Sequence, residues 1–507
     1  MEYWKVGILD RKTASVFLCI AATVFIHAEN RIQTEKNSIR FSAERVSLPG
    51  NEHLTLGGGV YRVYAQDSWY YGIGTYGALK GERGGFFTGG ICSGYSAHIS
   101  ETWCIDAECF FGGGGGGSAP QGGGMMLRPS CMLFGKTGGV KVGTGFSYVW
   151  FPNGEISSGA LCVAICTDFE RAYTPGRSFA AGTTRIGLEP VQWRYYPVLC
   201  RYSPSDDSST VAGKDYEDNI DCIGFGADRF LSEYFYVTGR VYGAYSGGID
   251  GYAKVIGGAI FASPRFGGNR IRAEAGLLAG ASGGGGVDTG GGFLIQPEIG
   301  LTADISDHFS FFVREGYLHT VTGNFDSFVT SLGISYSFTG YGFSGTAQNQ
   351  AAFEAVPWRV GGSIKSYFPS REIEDKSGRE HKHILSLVGV DADRMLGSNS
   401  YICAKAYGAF EGEAGGYAEG LLGLGLVLFQ HTLFSFDTEL CIGASGGGGV
   451  DTGNGLIAEI CAGFEYRFSE SFSFRIRAGW LTALEGEFES VFAEAGLTRS
   501  FGQLVKQ

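Results

Sequence analysis

The side chains best placed for chemistry in this chain are charged residues that recur at fixed spacing in two copies of one repeat. Arg314 and Arg477 hold equivalent positions, and each shares a strand face with the glycine two places on, Gly316 or Gly479. The same face of the preceding strand carries Glu298 and Asp304 in one copy, Glu459 and Glu465 in the other. In the later copy that parity also collects Asp391, Asp393, Asp437, Glu439, Arg467 and Arg475. A planar guanidinium can serve two carboxylates and stays charged when buried. The pattern points to an internal, mutually neutralising charge network, because an unpaired buried charge is costly. A catalytic acid pair at Asp391 and Asp393 is the competing chemistry. Gly226 stands in the place of Asp391 in the earlier copy, which favours ion pairing. No serine or cysteine sits in a nucleophile elbow, so no catalytic residue and no enzymatic activity is expected.

A glycine tract is the second candidate. Gly283, Gly284, Gly285, Gly286 and Asp288 return as Gly446, Gly447, Gly448, Gly449 and Asp451 within the unchanged segment GASGGGGVDTG. A phosphate-cradling loop needs a helix N-terminus after the glycines, and here another strand pattern follows. A calcium nonapeptide needs an apolar residue two places after the aspartate, where this chain has Gly290 or Gly453. A flexible loop or a glycine-lined strand crossing is the expectation, with any surface ligand left open. His381 and His383 lie in a charged stretch and read as a solvated loop, so no metal site and no cofactor is expected.

These residues need a scaffold, and the repeat supplies it. The offset between copies is 163 residues from Gly280 onward and 165 upstream, as in Trp193-Arg194 against Trp358-Arg359. A diverged copy precedes them, with Tyr76-Gly77-Ala78 matching Tyr242-Gly243-Ala244 and its own tract from Gly112 to Gly117. The expected units are 38–170, 190–340 and 356–503, with 339–355 as a linker. Residues 1–28 read as a signal peptide: Lys5, Arg11 and Lys12, then an apolar run from Ala14 to Ile26, then Ala28 before Glu29. Eleven of the 12 cysteines follow that leader, and none recurs at one position in all three units, so no shared disulfide framework emerges. Gly 85 in 507 residues with Pro 12 excludes a Pro-rich disordered chain, and a net charge of -12 argues against nucleic acid as a partner.

Period-two alternation is clear within the second unit. Ile295, Ile299, Leu301, Ala303 and Ile305 alternate with Gln296, Glu298, Gly300, Thr302 and Asp304. Phe328, Leu332, Ile334, Tyr336 and Phe338 alternate with Ser327, Ser331, Gly333, Ser335 and Ser337. About eight such strands fit each unit, most of them long enough for a tilted membrane strand of roughly 9–11 residues. Compact turns at one end and long polar loops at the other complete the pattern. The polar face is rich in Gly, Ser, Ala and Thr and poor in Lys, which suits a narrow lumen better than a solvated surface.

On these residues the chain resembles outer-membrane β-barrel proteins, especially the small eight-stranded kind. The segment Ser331-Leu332-Gly333-Ile334-Ser335-Tyr336-Ser337-Phe338 is similar to the terminal strand such proteins present to their assembly machinery. The C-terminal copy keeps Gly496 and Phe501 but departs from the pattern at Arg499. The expected fold is all-β, three tandem homologous units of about eight antiparallel strands each, forming transmembrane barrels. The resemblance implies the outer membrane of a diderm bacterium, with membrane lipid and the outer-membrane assembly machinery as partners. A structural or surface-interaction role is the leading expectation. A single large barrel acting as a porin and a soluble lipocalin-like carrier are the alternatives.

Overall fold

The computed structural model describes residues 32–184, 187–343, 351–369, 373–374, 380–381 and 384–506. The expected signal peptide lies outside the described residues, as do His383 and the side chain of His381. The chain begins with β1 (Gln33–Ser47), β2 (His53–Tyr64), β3 (Trp69–Lys80) and β4 (Phe87–His98). β5 (Trp103–Gly115), β6 (Met126–Thr137), β7 (Val140–Trp150), β8 (Ser157–Pro175) and the short β9 (Ala180–Thr184) follow. Next come β10 (Leu188–Pro204), β11 (Ile220–Ser232), β12 (Phe235–Ser246) and β13 (Ala253–Ala262). β14 (Ile271–Gly283), β15 (Phe293–Asp304), β16 (Phe309–Thr320) and β17 (Asp326–Phe343) complete the middle of the chain. The last part holds β18 (Ala351–Pro369), a small hairpin of β19 (Ile373–Glu374) and β20 (Glu380–His381), β21 (Leu385–Met395) and β22 (Ser400–Glu411). It ends with β23 (Ala418–Gln430), β24 (Phe434–Gly446), β25 (Leu456–Arg467), β26 (Phe472–Ala483) and β27 (Glu489–Lys506).

Apart from the β19–β20 hairpin, these strands form one 25-stranded antiparallel sheet. This corrects the expectation of three tandem units, which would stand apart: all three copies join in one sheet, to which β9 adds the 25th strand. β9 adds to the edge of β18 (Ala351 opposite Thr184), β27 pairs with β8 (Phe501 opposite Pro175), and β27 touches β17 (Gly340 opposite Val505). Both ends of the expected linker 339–355 are strand, since β17 runs to Phe343 and β18 begins at Ala351, and residues 344–350 lie outside the described residues. Backbone hydrogen bonding explains these pairings: a strand end with unpaired N–H and C=O groups is satisfied by the nearest exposed ladder. An apolar cluster of Ala172, Leu188, Phe353, Ala355 and Leu504 seals the junction.

Within that sheet the ladder closes on itself three times. β1 pairs with β8 (Phe41 opposite Ile165), β10 with β17 (Tyr195 opposite Tyr336), and β18 with β27 (Val360 opposite Arg499). Each closure makes a ring of eight strands with an inner and an outer face. The outer face is apolar and open: Ile299 is 66% exposed, with Leu301, Leu332, Ile334, Leu424, Leu440 and Ile460 alongside. The inner face buries Glu298, Arg314 and Ser335, each at most 6% exposed. A soluble carrier would bury the aliphatic side chains and expose the charges, the reverse of what is found. A continuous belt of exposed Leu, Ile and Phe is stable only where lipid, not water, surrounds it.

Inside each ring apolar clusters pack beside the buried charged groups, with Tyr202, Tyr252, Leu294, Phe325 and Val329 near the end with the long loops in the second ring.

If the outer face meets lipid, depth should decide what a charge costs there. Leu440 sits at the middle of β24 and Leu433 in the turn before it. Leu440→Arg should lose about 2–4 kcal/mol of unfolding free energy in bilayers, and Leu433→Arg at most about 1. Equal losses at the two positions in a denaturant titration would refute the membrane assignment.

Candidate functional site: the buried charge networks and the glycine tracts

The first ring holds Arg40, Arg62 and Arg128 against Glu44, Asp106 and Glu108, all buried. Arg62 donates to Glu108 Oε2 at 3.0 Å and to Asp106 Oδ1 at 3.1 Å. Arg128 grips Glu44 with two parallel bonds of 2.7 and 2.8 Å, the fork geometry that a guanidinium offers a carboxylate. Sequence reasoning missed this ring's network because its copy is diverged. The signal was available as Arg and Glu on one strand parity.

In the second ring Arg240 grips Glu298 at 2.8 and 2.6 Å, and Arg194 joins Asp228 at 2.7 Å to Glu274 at 2.9 Å. Arg314 donates to Glu274 Oε2 at 3.4 Å and stands 4.0 Å from Glu298. Asp304, expected in this network, instead lies at the rim, where it accepts from Arg265 Nε at 2.9 Å and Ser310. The register gives the reason. Glu274, Gly300 and Arg314 are directly opposite one another on β14, β15 and β16, so Arg314 reaches over the glycine to the carboxylate beyond it. A Cβ at Gly300 would lie 2.7 Å from Arg314 Cγ. Lys254 is held by Gln296 Oε1 at 3.0 Å and by the ring faces of Tyr202 and Tyr242.

The third ring is the most densely charged. Arg475 binds both Asp391 and Asp393, at 2.8 Å for the latter, so the two acids are ion-paired and do not form a free acid pair. Arg359 joins Asp393, Asp437 and Glu465, Lys365 joins Glu419 and Glu459, and Lys405 joins Glu459 and Glu439. Arg177, from the chain between β8 and β9, contacts Glu465 from below. Arg477 was expected to pair with Glu459 or Glu465. It pairs with Glu439 at 2.6 Å and Glu494 at 2.9 Å. Alternation fixes a residue's face but not its height, and Glu494 on β27 is the residue directly opposite Arg477. Arg467 lies at the rim, donating to the carbonyl of His431. Arg499 breaks the aromatic alternation of the last strand because it bonds Glu35 of the first ring and lies over Tyr173.

The glycine tracts occupy the opposite end. Gly283 to Gly286 and Gly446 to Gly449 all have positive φ, which only glycine adopts without strain. Each tract packs on the loop after the third strand of another ring, and the order is cyclic. The tract of the second ring meets the first ring, where Gly84 N donates to Gly290 O at 2.8 Å. The tract of the third ring meets the second, where Gly248 N donates to Asn454 Oδ1 at 3.1 Å and a Cβ at Gly251 would lie 2.6 Å from Gly447 N. The tract of the first ring meets the third, where Gln121 Nε2 donates to Gly415 O at 3.0 Å and Phe111 packs edge-on against Phe410. Asp288 and Asp451 accept from Gly290 N and Gly453 N, which closes the local turn and directs their oxygens at the backbone. Outside the strands, Glu52 holds the Arg83 guanidinium above its ordinary value through a direct bond, and burial pushes the Tyr216 phenol up.

No protein-family model and no curated protein matches the chain. Solved structures do. The siderophore receptor PirA from Pseudomonas aeruginosa matches at 11% identity over 94% of this chain and 81% of its own, with a TM-score of 0.27. OccK5 (OpdH) of the same organism matches at 9% identity, covering 93% of this chain and 98% of its own, TM-score 0.21. The outer membrane protein opdK, also from Pseudomonas aeruginosa, gives 9% identity, 93% and 99% coverage and a TM-score of 0.21. By its own architecture, with closed antiparallel pairing, an apolar outer face and buried charges, this chain is a transmembrane β-barrel protein.

Two expectations follow from the geometry. Arg477→Ala should lower unfolding free energy by about 3–5 kcal/mol, since it leaves carboxylates buried without a counter-charge. Glu439→Gln or Glu494→Gln should restore part of that loss, and Glu459→Gln should not. A double-mutant cycle showing additivity for Glu439 and Glu494 would remove the assignment. At the other end, Gly251→Val should destabilise by about 1–3 kcal/mol through overlap and backbone strain. Gly239→Val, at an outward position where a Cβ would meet nothing within 4 Å, should be nearly silent. The comparison is made by loss of the heat-resistant folded band on cold gels.

Proposed function

We propose that this protein is a non-conducting integral component of the outer membrane that acts through its cell-surface end, not a solute pore and not an enzyme. One observation carries the reading: in every ring the large cationic side chains are fully buried. Arg40, Arg62, Arg128, Arg240, Arg314, Arg359 and Arg477 all have under 2% of their surface exposed. A water-filled channel solvates the charges that line it, and these are in contact with carboxylates and aromatic rings instead. The long loops at the glycine end then offer the surface for interaction, supported by a scaffold that the tracts lock together. The terminal strand β27, with Gly496 and Phe501 in its ladder, is the segment for recognition by the outer-membrane assembly machinery. The ion-paired state of Asp391 and Asp393 supports a structural rather than a catalytic role for them.

Planar-bilayer recording of the purified full chain tests this. The expected outcome is no stable conductance of the size open porins give. A large, stable conductance would overturn the reading in favour of a transport channel, and Arg477→Ala should then change ion selectivity.

A further inference from the structure

We propose that Cys403, Cys441 and Glu439 form a binding site for a thiophilic d10 metal ion of the zinc class inside the third ring. The site is built by a gap in the middle of three strands. Cys403 on β22 and Cys441 on β24 both stand directly opposite Gly423 on β23, all on the inner face. With no side chain on Gly423, where a Cβ would lie 2.5 Å from Cys441 Sγ, the two cysteines lean over the bare backbone until their sulfurs are 3.5 Å apart. A carboxylate oxygen of Glu439 completes a group of three donor atoms all within 4.8 Å of one another.

Disulfide formation does not account for this arrangement. The two cysteines lie on strands separated by another strand, so their backbones are about 9–10 Å apart. A disulfide spans at most about 7 Å between Cα atoms. Sulfurs that meet while their backbones stay that far apart are placed to share an ion. Tetrahedral zinc holds its thiolates at about 2.3 Å, which puts two sulfurs about 3.8 Å from each other, close to the spacing found.

Charge balance favours the site despite the neighbouring Lys405 and Arg477, both bonded to Glu439. As a divalent ion enters, the two thiols release two protons to the medium, so the ring's net charge does not change. The bonds formed are two metal–sulfur bonds and one metal–oxygen bond, and no electron is transferred. The fourth position falls to water or to a nearby donor. Asp393, directly opposite Cys403, has a buried Oδ1 with no hydrogen-bond partner among the described residues. Cys461 Sγ lies 3.5 Å from Glu439 Oε2 on the other side.

The full chain, folded in detergent with zinc and washed with a weak chelator, tests the proposal by elemental analysis of the heat-modifiable folded form. The expected result is about one zinc per chain, reduced to background in Cys403→Ser/Cys441→Ser and unchanged in Cys200→Ser/Cys222→Ser. Cadmium-loaded wild type should also show thiolate-to-metal charge transfer in the near ultraviolet, a readout that needs no variant. Wild type without bound metal or charge-transfer band overturns the site, as does a folded double variant that keeps its zinc. A mass lower by two hydrogens, mapped to a Cys403–Cys441 linkage, overturns it as well.

Discussion

A closed ring of eight strands leaves an interior too narrow for bulk water, so whatever charge points inward must be neutralised by another charge pointing inward. That constraint organises this protein. In the second ring, Arg240 and Glu298 meet through paired bonds of 2.8 and 2.6 Å, and in the first Arg128 and Glu44 do the same. In low dielectric, breaking such a pair leaves a charge that nothing else can solvate. The networks therefore fix which strands face one another. They also force the aliphatic side chains outward, where only lipid can receive them.

Glycine makes the networks possible. A long side chain can reach a partner two strands away only when the strand between them presents no side chain. Gly300 lies between Glu274 and Arg314, and Gly423 between Cys403 and Cys441. Each lumenal glycine lowers intrinsic strand preference, and each is compensated by a contact that a neighbouring strand alone cannot provide. The same residue type acts differently in the tracts, where positive φ and the absence of Cβ let backbone pack directly on backbone.

Because each tract docks on the next ring and the sequence of contacts returns to its start, the loop end is a closed heterologous arrangement. At the other end the joining is by ladder: β9 on β18, β27 on β8 and on β17, with Arg499 bonded to Glu35. Association at both ends explains why 25 strands behave as one sheet.

The sequence by itself determined the strands and their faces. Ile299 and Leu301 alternate with Glu298 and Thr302, and no other arrangement buries one set while exposing the other. It also determined that the charges on the inner parity must neutralise one another, because no lysine-rich surface was available to take them to water. It did not determine which charge meets which. Parity gives a face and not a height, so Arg477 could be placed against Glu459 or Glu465 as readily as against Glu439 and Glu494. Only the register between strands, set by bulges and by turn geometry, selects the pair. Nor does any local pattern reveal that Cys403 and Cys441, 38 residues apart, meet over Gly423, or that the glycine tracts bind neighbouring rings. Those contacts join strands that are not adjacent in the chain, and their energy exists only once the rings have closed.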